Sequence, residues 1–283
     1  MNLRVLEERI FKTLMYISIA IVIGSLVIII GLVIYHGAPS ITFDIITKTP
    51  TSADYVGQGT GGILNAIVGS ILLALPATAI AFIIGIGIAL YLQNDFSHSI
   101  FSTTVRFILD VLWGIPSILY GTFIFIIMIL IGMRQCLLTG ILALTLLEIP
   151  IITRYMDESI KMVPMGLKES SYSLGSTKFE TAVKIVRRQA FPGILAGVLL
   201  GLGRGIGDAA APLFTAGYSN NLPGSVFDGT ASMPVLIFKY FSSPYAAVRE
   251  RAYAAAFILF IIVLFISIIT RTLTRRYKRH LIK

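Results

Sequence analysis

The segment from Lys168 to Gly175 reads KESSYSLG, and it leads into a long apolar stretch that carries two opposite charges, Arg204 and Asp208. Lysine and arginine recur between the two parts as far as Arg188. Charged side chains within a bilayer are costly and usually face a bundle interior or a wet cavity. We therefore interpret the basic segment as a surface that binds a soluble partner, and the apolar stretch as a span that handles a polar solute.

Composition indicates a membrane protein. Of the 283 residues, 56% are hydrophobic and 13% are charged, whereas about a quarter of residues are charged in soluble proteins. The apolar residues form blocks long enough to cross a bilayer as helices. We predict an all-α membrane protein with a six-helix transmembrane bundle, whose spans lie near 14–35, 63–92, 108–132, 136–153, 190–215 and 252–271.

The distribution of basic residues predicts the orientation. Seventeen lysines and arginines fall on the side of both termini and of the 154–189 loop, and five fall on the opposite side. Because basic loops are typically cytoplasmic, we expect both termini in the cytoplasm. The predicted division is an anchor helix with an outer loop at 1–62, a core at 63–275 and a basic tail at 276–283.

Several chemistries find no support in the sequence. The net charge of +9 would indicate nucleic-acid binding in a soluble protein, but the positive-inside rule accounts for it here. The chain has no GxxxxGK[ST] loop for nucleotide phosphates, and Gly57–Gly62 matches GxGxxG by letters without a preceding strand. It also lacks a cysteine–histidine cluster. We expect no enzyme activity, no metal, no cofactor and no nucleic-acid partner.

The charges predicted within spans leave two alternatives open. Arg204 and Asp208 are four residues apart, so in a continuous helix they share a face and can pair. If they pair, both are structural; if Asp208 has another partner, the planar guanidinium of Arg204 is free for an anion. Asp110 and Glu148, near the ends of the third and fourth spans, are predicted to be interfacial or paired.

Glycine and proline mark two further features. Gly193, Gly197 and Gly201 recur every four residues, and Gly203 and Gly207 repeat that spacing, which favours close helix packing with a path-lining helix as the alternative. In the third span, Gly114 and Pro116 predict a kink, and the Ser117 hydroxyl is a candidate to bond a freed carbonyl. In the 154–189 loop, the spacing from Glu169 to Gly175 predicts two short helices joined by a glycine turn.

Three segments resemble a known family. The Glu169–Gly175 segment resembles the E-A-A-x-x-x-G motif of ABC-importer permeases, with Ser170 and Ser171 in place of the alanines. Gly114–Gly121 resembles the G-I-P-S-I-x-Y-G signature of the phosphate-transport permeases (the PstA/PstC type), and Arg204–Ala210 resembles their R-A-x-G-E-T-A segment. The resemblance covers about residues 61–271. The chain departs from the family pattern at three places. Asp208 stands where the common family form has glutamate, Ala209 stands where it has threonine, and Arg187-Arg188 replace the usual Leu-Pro.

The resemblance implies a fold and a function. The fold would be that of a type I ABC-importer permease in a bacterial or archaeal cytoplasmic membrane. The chain, of the PstA type, would form half of a heterodimeric pore with a second permease, above two ATP-using subunits, and receive phosphate from an extracytoplasmic binding protein. Glu169, Leu174 and Gly175 would couple to the ATPase, and Arg204, Asp208 and Ser117 would lie on the substrate path. A permease for sulfate, molybdate or phosphonate, a self-sufficient channel or carrier, and a membrane enzyme are the alternatives.

Overall fold

A computed structural model of the chain describes residues 3–59, 61–93 and 100–278, and this part of the chain contains helices but no β-strand. Residues 279–283 of the predicted basic tail lie outside it. The α-helices in the described part are α1 (Leu3–Gly37), α2 (Phe43–Thr47), α3 (Leu64–Tyr91), α4 (Ile100–Gly114), α5 (Ser117–Leu130), α6 (Leu137–Lys161), α7 (Met165–Ser173), α8 (Lys178–Glu180), α9 (Arg187–Gly207), α10 (Ala210–Thr215), α11 (Met233–Phe241) and α12 (Ala246–Lys278).

Five helical segments are long and apolar enough to cross a membrane: α1, α3, α6, α9 with the turns before it, and α12. Helices α4 and α5 qualify only as a pair, and they meet at an angle of 98°. Counting that pair as one span gives the six predicted spans. Helices dominate because a segment in lipid must satisfy all of its backbone hydrogen bonds internally.

The third span is interrupted at Gly114 and Pro116, as predicted, but the interruption is a full break rather than a kink, with α4 and α5 meeting at 98°. Pro116 has no N–H to continue the helix, and α4 ends at Gly114. The freed carbonyl of Leu112 accepts a hydrogen bond of 2.7 Å from the Tyr120 hydroxyl. Tyr120 therefore has the role that we predicted for Ser117.

The fifth span also breaks, and here the prediction of a continuous helix at 190–215 is wrong. Helix α9 ends at Gly207, and Asp208 has an extended backbone with ψ of 124°. Pro212 explains the position of the break, because in a continuous helix its ring would clash with the carbonyl of Asp208. A short new helix, α10, follows.

The core surrounds α6, which is the most buried of the five long spans. Its neighbours are α3, α4, α5, α9 and α10. Helix α1 is the least buried and lies beside α12, where the His36 ring contacts the Tyr253 ring at 4.9 Å. Because α1 ends where α12 begins, their far ends, Leu3 and Lys278, lie at the same end of the bundle. We call this the basic end.

A buried carboxylate organises the loop at the opposite end. Asp54 is fully buried and pairs with Arg251 of α12. It also accepts hydrogen bonds from the Thr51 N–H (2.5 Å), the Thr51 hydroxyl (2.7 Å) and the Gly61 N–H (3.0 Å). Burial alone raises the pKa of Asp54, but the hydrogen bonds from Thr51 and Arg251 outweigh it and hold the pKa below the ordinary value.

We predict that Arg251→Gln destabilises the fold, because it leaves the Asp54 carboxylate buried without its cation. The expected loss is about 2–3 kcal/mol, less than for a fully buried pair, because the Arg251 side chain is 17% exposed. The measurement is thermal unfolding in detergent. Asp44→Asn, which breaks a pair that is half exposed on both sides, is the control and should change little.

The same site predicts the pH dependence of the wild-type protein. Since the pKa of Asp54 is lowered, its contribution to stability is complete above the unfolded value of 3.8 and is lost as the pH falls toward the folded value. Arg251→Gln should therefore lose less stability on acidification than the wild type. Parallel acid unfolding curves for the two proteins would contradict the assignment.

Candidate functional site

Helix α9 contacts α6 through a stripe of glycines. A Cβ added to Gly193 would lie 2.1 Å from the Ser159 hydroxyl, one at Gly197 would lie 2.7 Å from the Tyr155 Cβ, and one at Gly201 would lie 2.6 Å from the Ile152 Cγ1. The stripe continues to Gly205, opposite Glu148. We call these four pairs the α6–α9 seam.

The other two glycines of the predicted set lie outside the seam. A Cβ at Gly203 would have ordinary contact, 4.0 Å from Ile266 of α12, and one at Gly207 would meet nothing within 4 Å. Sequence reasoning missed Gly205, whose spacing from Gly201 continues the series. The four-residue periodicity of the first three glycines was the signal that could have identified it.

The break at Asp208 separates the two charges of the fifth span. Asp208 accepts a hydrogen bond of 2.8 Å from the Ala211 N–H, which lies in the first turn of α10. Arg204 stays on α9 with its side chain exposed. Among the described residues no carboxylate lies within ion-pair distance of Arg204, so the predicted i, i+4 pair does not form. Of the two alternatives, the structure matches the one in which the guanidinium is free.

The two broken spans meet beside Arg204. Helix α10 packs on α5 at Gly121, where an added Cβ would lie 2.8 Å from the Ala211 carbonyl oxygen. Ser117 is in the first turn of α5, and Arg204 is in the last turn of α9, just before the break that leads into α10. The glycines and prolines of both segments thus bring the three predicted path residues into one region of the fold.

Arginine also lines a cavity beside α9. A cavity of about 530 Å³ lies between α9 and α12, and Arg204, Arg271 and Arg275 are among its lining residues. A second, larger cavity of about 1520 Å³ lies toward the basic end and includes Arg187 and Arg188. Both cavities are mainly apolar with arginine as the dominant charge, which suits an anionic solute or headgroup.

Asp110 and Glu148 have different environments. Asp110 forms an ion pair of 2.7 Å with Arg154, as predicted. Glu148 is not interfacial: it lies near the middle of α6 and is fully buried. Among the described residues it has no ion-pair partner, and neither carboxyl oxygen has a hydrogen-bond partner. The prediction failed because α6 continues to Lys161, eight residues beyond the predicted end of the span, which moves Glu148 into the core.

The predicted coupling loop is a short helix and a turn at the basic end. Glu169 is exposed on α7, which is followed by Gly175 with a φ of 84°, a left-handed conformation that favours glycine. Ser171, one of the two serines that replace the motif's alanines, is buried and exchanges a hydrogen bond of 2.9 Å with Thr181. This bond ties α7 to the π-helical turn Thr181–Val186 that leads into α9.

The same segment exposes large apolar side chains. Leu174 is 87% exposed, Met162 is 83% exposed and Phe179 is 70% exposed. We predicted Leu174 as a coupling residue, but not the other two. Three large apolar side chains exposed within one short polar segment make that segment a candidate interaction surface. We call residues 162–180 the coupling segment.

Comparison with known proteins identifies the family. Residues 81–279 match the family described as binding-protein-dependent transport system inner membrane component. The chain belongs to this family. The permease is 34% identical over 247 residues to a phosphate transport system permease protein PstA of Xylella fastidiosa, covering 87% of this chain and 84% of that protein. It is 33% identical over 270 residues to the PstA protein of Pasteurella multocida, covering 95% and 94%.

Solved structures support the fold of the permease. The inward-facing MetNI methionine ABC transporter superposes with a TM-score of 0.62 at 19% identity, covering 76% of this chain and 95% of that one. A bacterial ABC transporter involved in the import of alginate gives a TM-score of 0.59 at 16% identity, covering 96% and 99%. The permease therefore has the type I ABC-importer fold.

We predict that Gly197→Ala destabilises the permease by about 1–3 kcal/mol, because the new methyl group overlaps the Cβ of Tyr155, which has no freedom to rotate away. Gly207→Ala is the matched control, since its methyl group would meet nothing within 4 Å. Thermal unfolding in detergent measures the difference. Equal midpoints for the two variants would show that the α6–α9 seam is looser than described.

Proposed function

We propose that this chain is the permease subunit of an ATP-driven phosphate importer, and that it forms half of the transmembrane pathway. The observation that carries the proposal is the similarity, at 32–38% identity, to proteins named as phosphate transport permeases. The free guanidinium of Arg204 beside two broken spans supports it, because planar donor groups suit the oxygens of a tetrahedral oxyanion.

Arg204 is the proposed contact with the anion. Its exposed side chain lines the cavity between α9 and α12, and a second permease would enclose this surface in the complete pore. Asp208 takes a positioning role, because its carboxylate accepts the Ala211 N–H in the first turn of α10 and so holds the chain just after the break between α9 and α10. Ser117 stays a candidate path residue on the neighbouring helix.

The coupling segment is the proposed contact with the ATPase. Its exposed apolar side chains and Glu169 form a surface that a soluble subunit can cover, and ATP would be bound and hydrolysed by that partner. This arrangement requires the basic end of the bundle, with both termini, to face the cytoplasm, which agrees with the positive-inside rule. A phosphate-binding protein would then deliver substrate at the Asp54 end.

The substrate assignment predicts ATP-dependent uptake of radiolabelled phosphate by vesicles that contain the complete importer. Unlabelled phosphate should compete, and excess sulfate or molybdate should not. Full competition by sulfate or molybdate would assign the permease to another oxyanion. Uptake by this chain without the ATPase would instead favour a self-sufficient carrier.

In the same vesicles, Arg204→Gln is expected to reduce phosphate uptake to background while the complex still assembles, because the substitution removes the proposed anion contact. Asp208→Asn is the matched control: it keeps a side-chain oxygen for the Ala211 N–H and should retain uptake within a few-fold of the wild type. If Arg204→Gln transports at the wild-type rate, Arg204 does not bind the anion.

We predict that Gly175→Asp releases the ATPase from the membrane complex, since a side chain at a φ of 84° distorts the turn after α7. Gly166→Asp adds the same side chain within the same segment, where the backbone has no positive φ and the new Cβ meets nothing within 4 Å. Co-purification of the ATPase with each variant is the measurement. Full yield with Gly175→Asp would count against the coupling assignment.

A further inference from the structure

Glu148 is a buried acid that the proposed transport function does not use. It lies in the α6–α9 seam with no exposed surface, and in the part of the chain that the structure describes both carboxyl oxygens lack a hydrogen-bond partner. Its space depends on glycine: a Cβ at Gly205 would lie 2.0 Å from one carboxyl oxygen, and a Cβ at Gly201 would lie 3.8 Å from the other. Such an unsatisfied polar group in a folded protein calls for a physical explanation.

No lysine or arginine in the described ranges forms an ion pair with the Glu148 carboxyl. Thr78 of α3 is a polar neighbour of Glu148, and its hydroxyl is also buried and finds no hydrogen-bond partner among the described residues. Arg204 is on α9 between the two glycines, but it lines the cavity toward α12. A bare carboxylate in such surroundings is far more costly than a neutral acid.

Of the other charged or titratable groups on helices packed against α6, Tyr91 ends α3 and Arg187 and Arg188 begin α9, all toward the basic end. The groups on α4 and α5 are engaged with other partners. On α4, Arg106 bonds Asp157 at 3.0 Å and Asp110 bonds Arg154, about two helical turns closer to the basic end. On α5, Tyr120 donates its hydroxyl to the Leu112 carbonyl. Helix α10 contributes no charged side chain. Within the described residues, the polar group beside the Glu148 carboxyl is therefore the neutral Thr78 hydroxyl, and no charged side chain pairs with it.

We propose that Glu148 is a proton-binding site of the α6–α9 seam, which holds a proton while the seam is closed and releases it when α9 separates from α6. A neutral carboxyl is compatible with the Thr78 hydroxyl, because either group can donate to the other. When the seam opens, water reaches the carboxyl, and the ionised form becomes stable. Raising the pH thus favours the open seam.

The site is placed to affect transport. Helix α9 joins the coupling segment through the π-helical turn and the bond between Ser171 and Thr181, and it carries Arg204 near its other end. A movement that the ATPase imposes on the coupling segment would therefore act directly on the seam. This link to transport rests on the proposed function, whereas the proton itself does not.

Infrared spectroscopy of the purified complex tests the proton directly. At neutral pH the wild type should show a carbonyl band of a protonated carboxylic acid that is absent from Glu148→Gln. Glu158→Gln is the control, because it makes the same change on the same helix at a side chain that is 56% exposed, and it should keep the band. A wild-type spectrum without a band that depends on Glu148 would overturn the proposal.

Hydrogen–deuterium exchange tests the opening. After correction for the intrinsic rate, exchange of α9 amides near Gly201 should rise with pH in the wild type, by at most about tenfold per pH unit for one proton, and should be flat in Glu148→Gln. An identical pH dependence in both proteins would overturn the coupling of proton and seam. The exchange can also be measured with and without Na⁺ or K⁺. If slow exchange of the α9 amides requires one of these ions in the wild type but not in Glu148→Gln, the carboxylate holds a metal ion and the proposal is overturned. None of these readouts uses phosphate, so a wrong substrate assignment would leave them unchanged.

Discussion

The close approach of α6 and α9 is the constraint on which the rest of the structure depends. Lipid tails are as apolar as leucine, so these helices gain little from hydrophobic burial and associate through packing. Gly193, Gly197, Gly201 and Gly205 allow that packing because a Cβ at each would overlap α6. The most buried span is thereby attached to the span that joins the coupling segment to Arg204, and a displacement of α9 must break or slide this contact.

Two prolines set the shape of the proposed path. Pro116 and Pro212 each stop a helix within an otherwise apolar stretch, and a broken helix in a bilayer survives only where its freed backbone groups find partners. Tyr120 bonds the Leu112 carbonyl at the first break, and Asp208 bonds the Ala211 N–H at the second. The second bond engages the acid that would otherwise neutralise Arg204. The break that precedes Pro212 and this bond together separate Asp208 from Arg204 and leave the span with an unpaired positive charge among the described residues.

The sequence predicted what depends on composition and period, and missed what depends on tertiary contact. Long apolar blocks located the six spans, and the spacing of Gly193, Gly197 and Gly201 indicated the close helix. The assumption of a continuous fifth span failed because it gave no weight to Pro212. The break that precedes this proline removes the Arg204–Asp208 pair, which was one of the two alternatives that helical spacing left open. Glu148 was misplaced for another reason: its burial follows from the length of α6 and from the glycines opposite it, which lie more than 50 residues away along the chain.

These contacts form one continuous path through the permease. The coupling segment is tied to the start of α9 by the buried bond between Ser171 and Thr181, and the π-helical turn there is a geometry often found at functional sites. From that turn, α9 runs along the seam past Glu148 to Arg204 and the break. Spatial continuity alone does not demonstrate coupling. Coupling requires an element with two arrangements whose balance is shifted both by the coupling segment and by the site at Arg204. The α6–α9 seam is such an element if Glu148 is neutral in the closed seam and charged in the open seam.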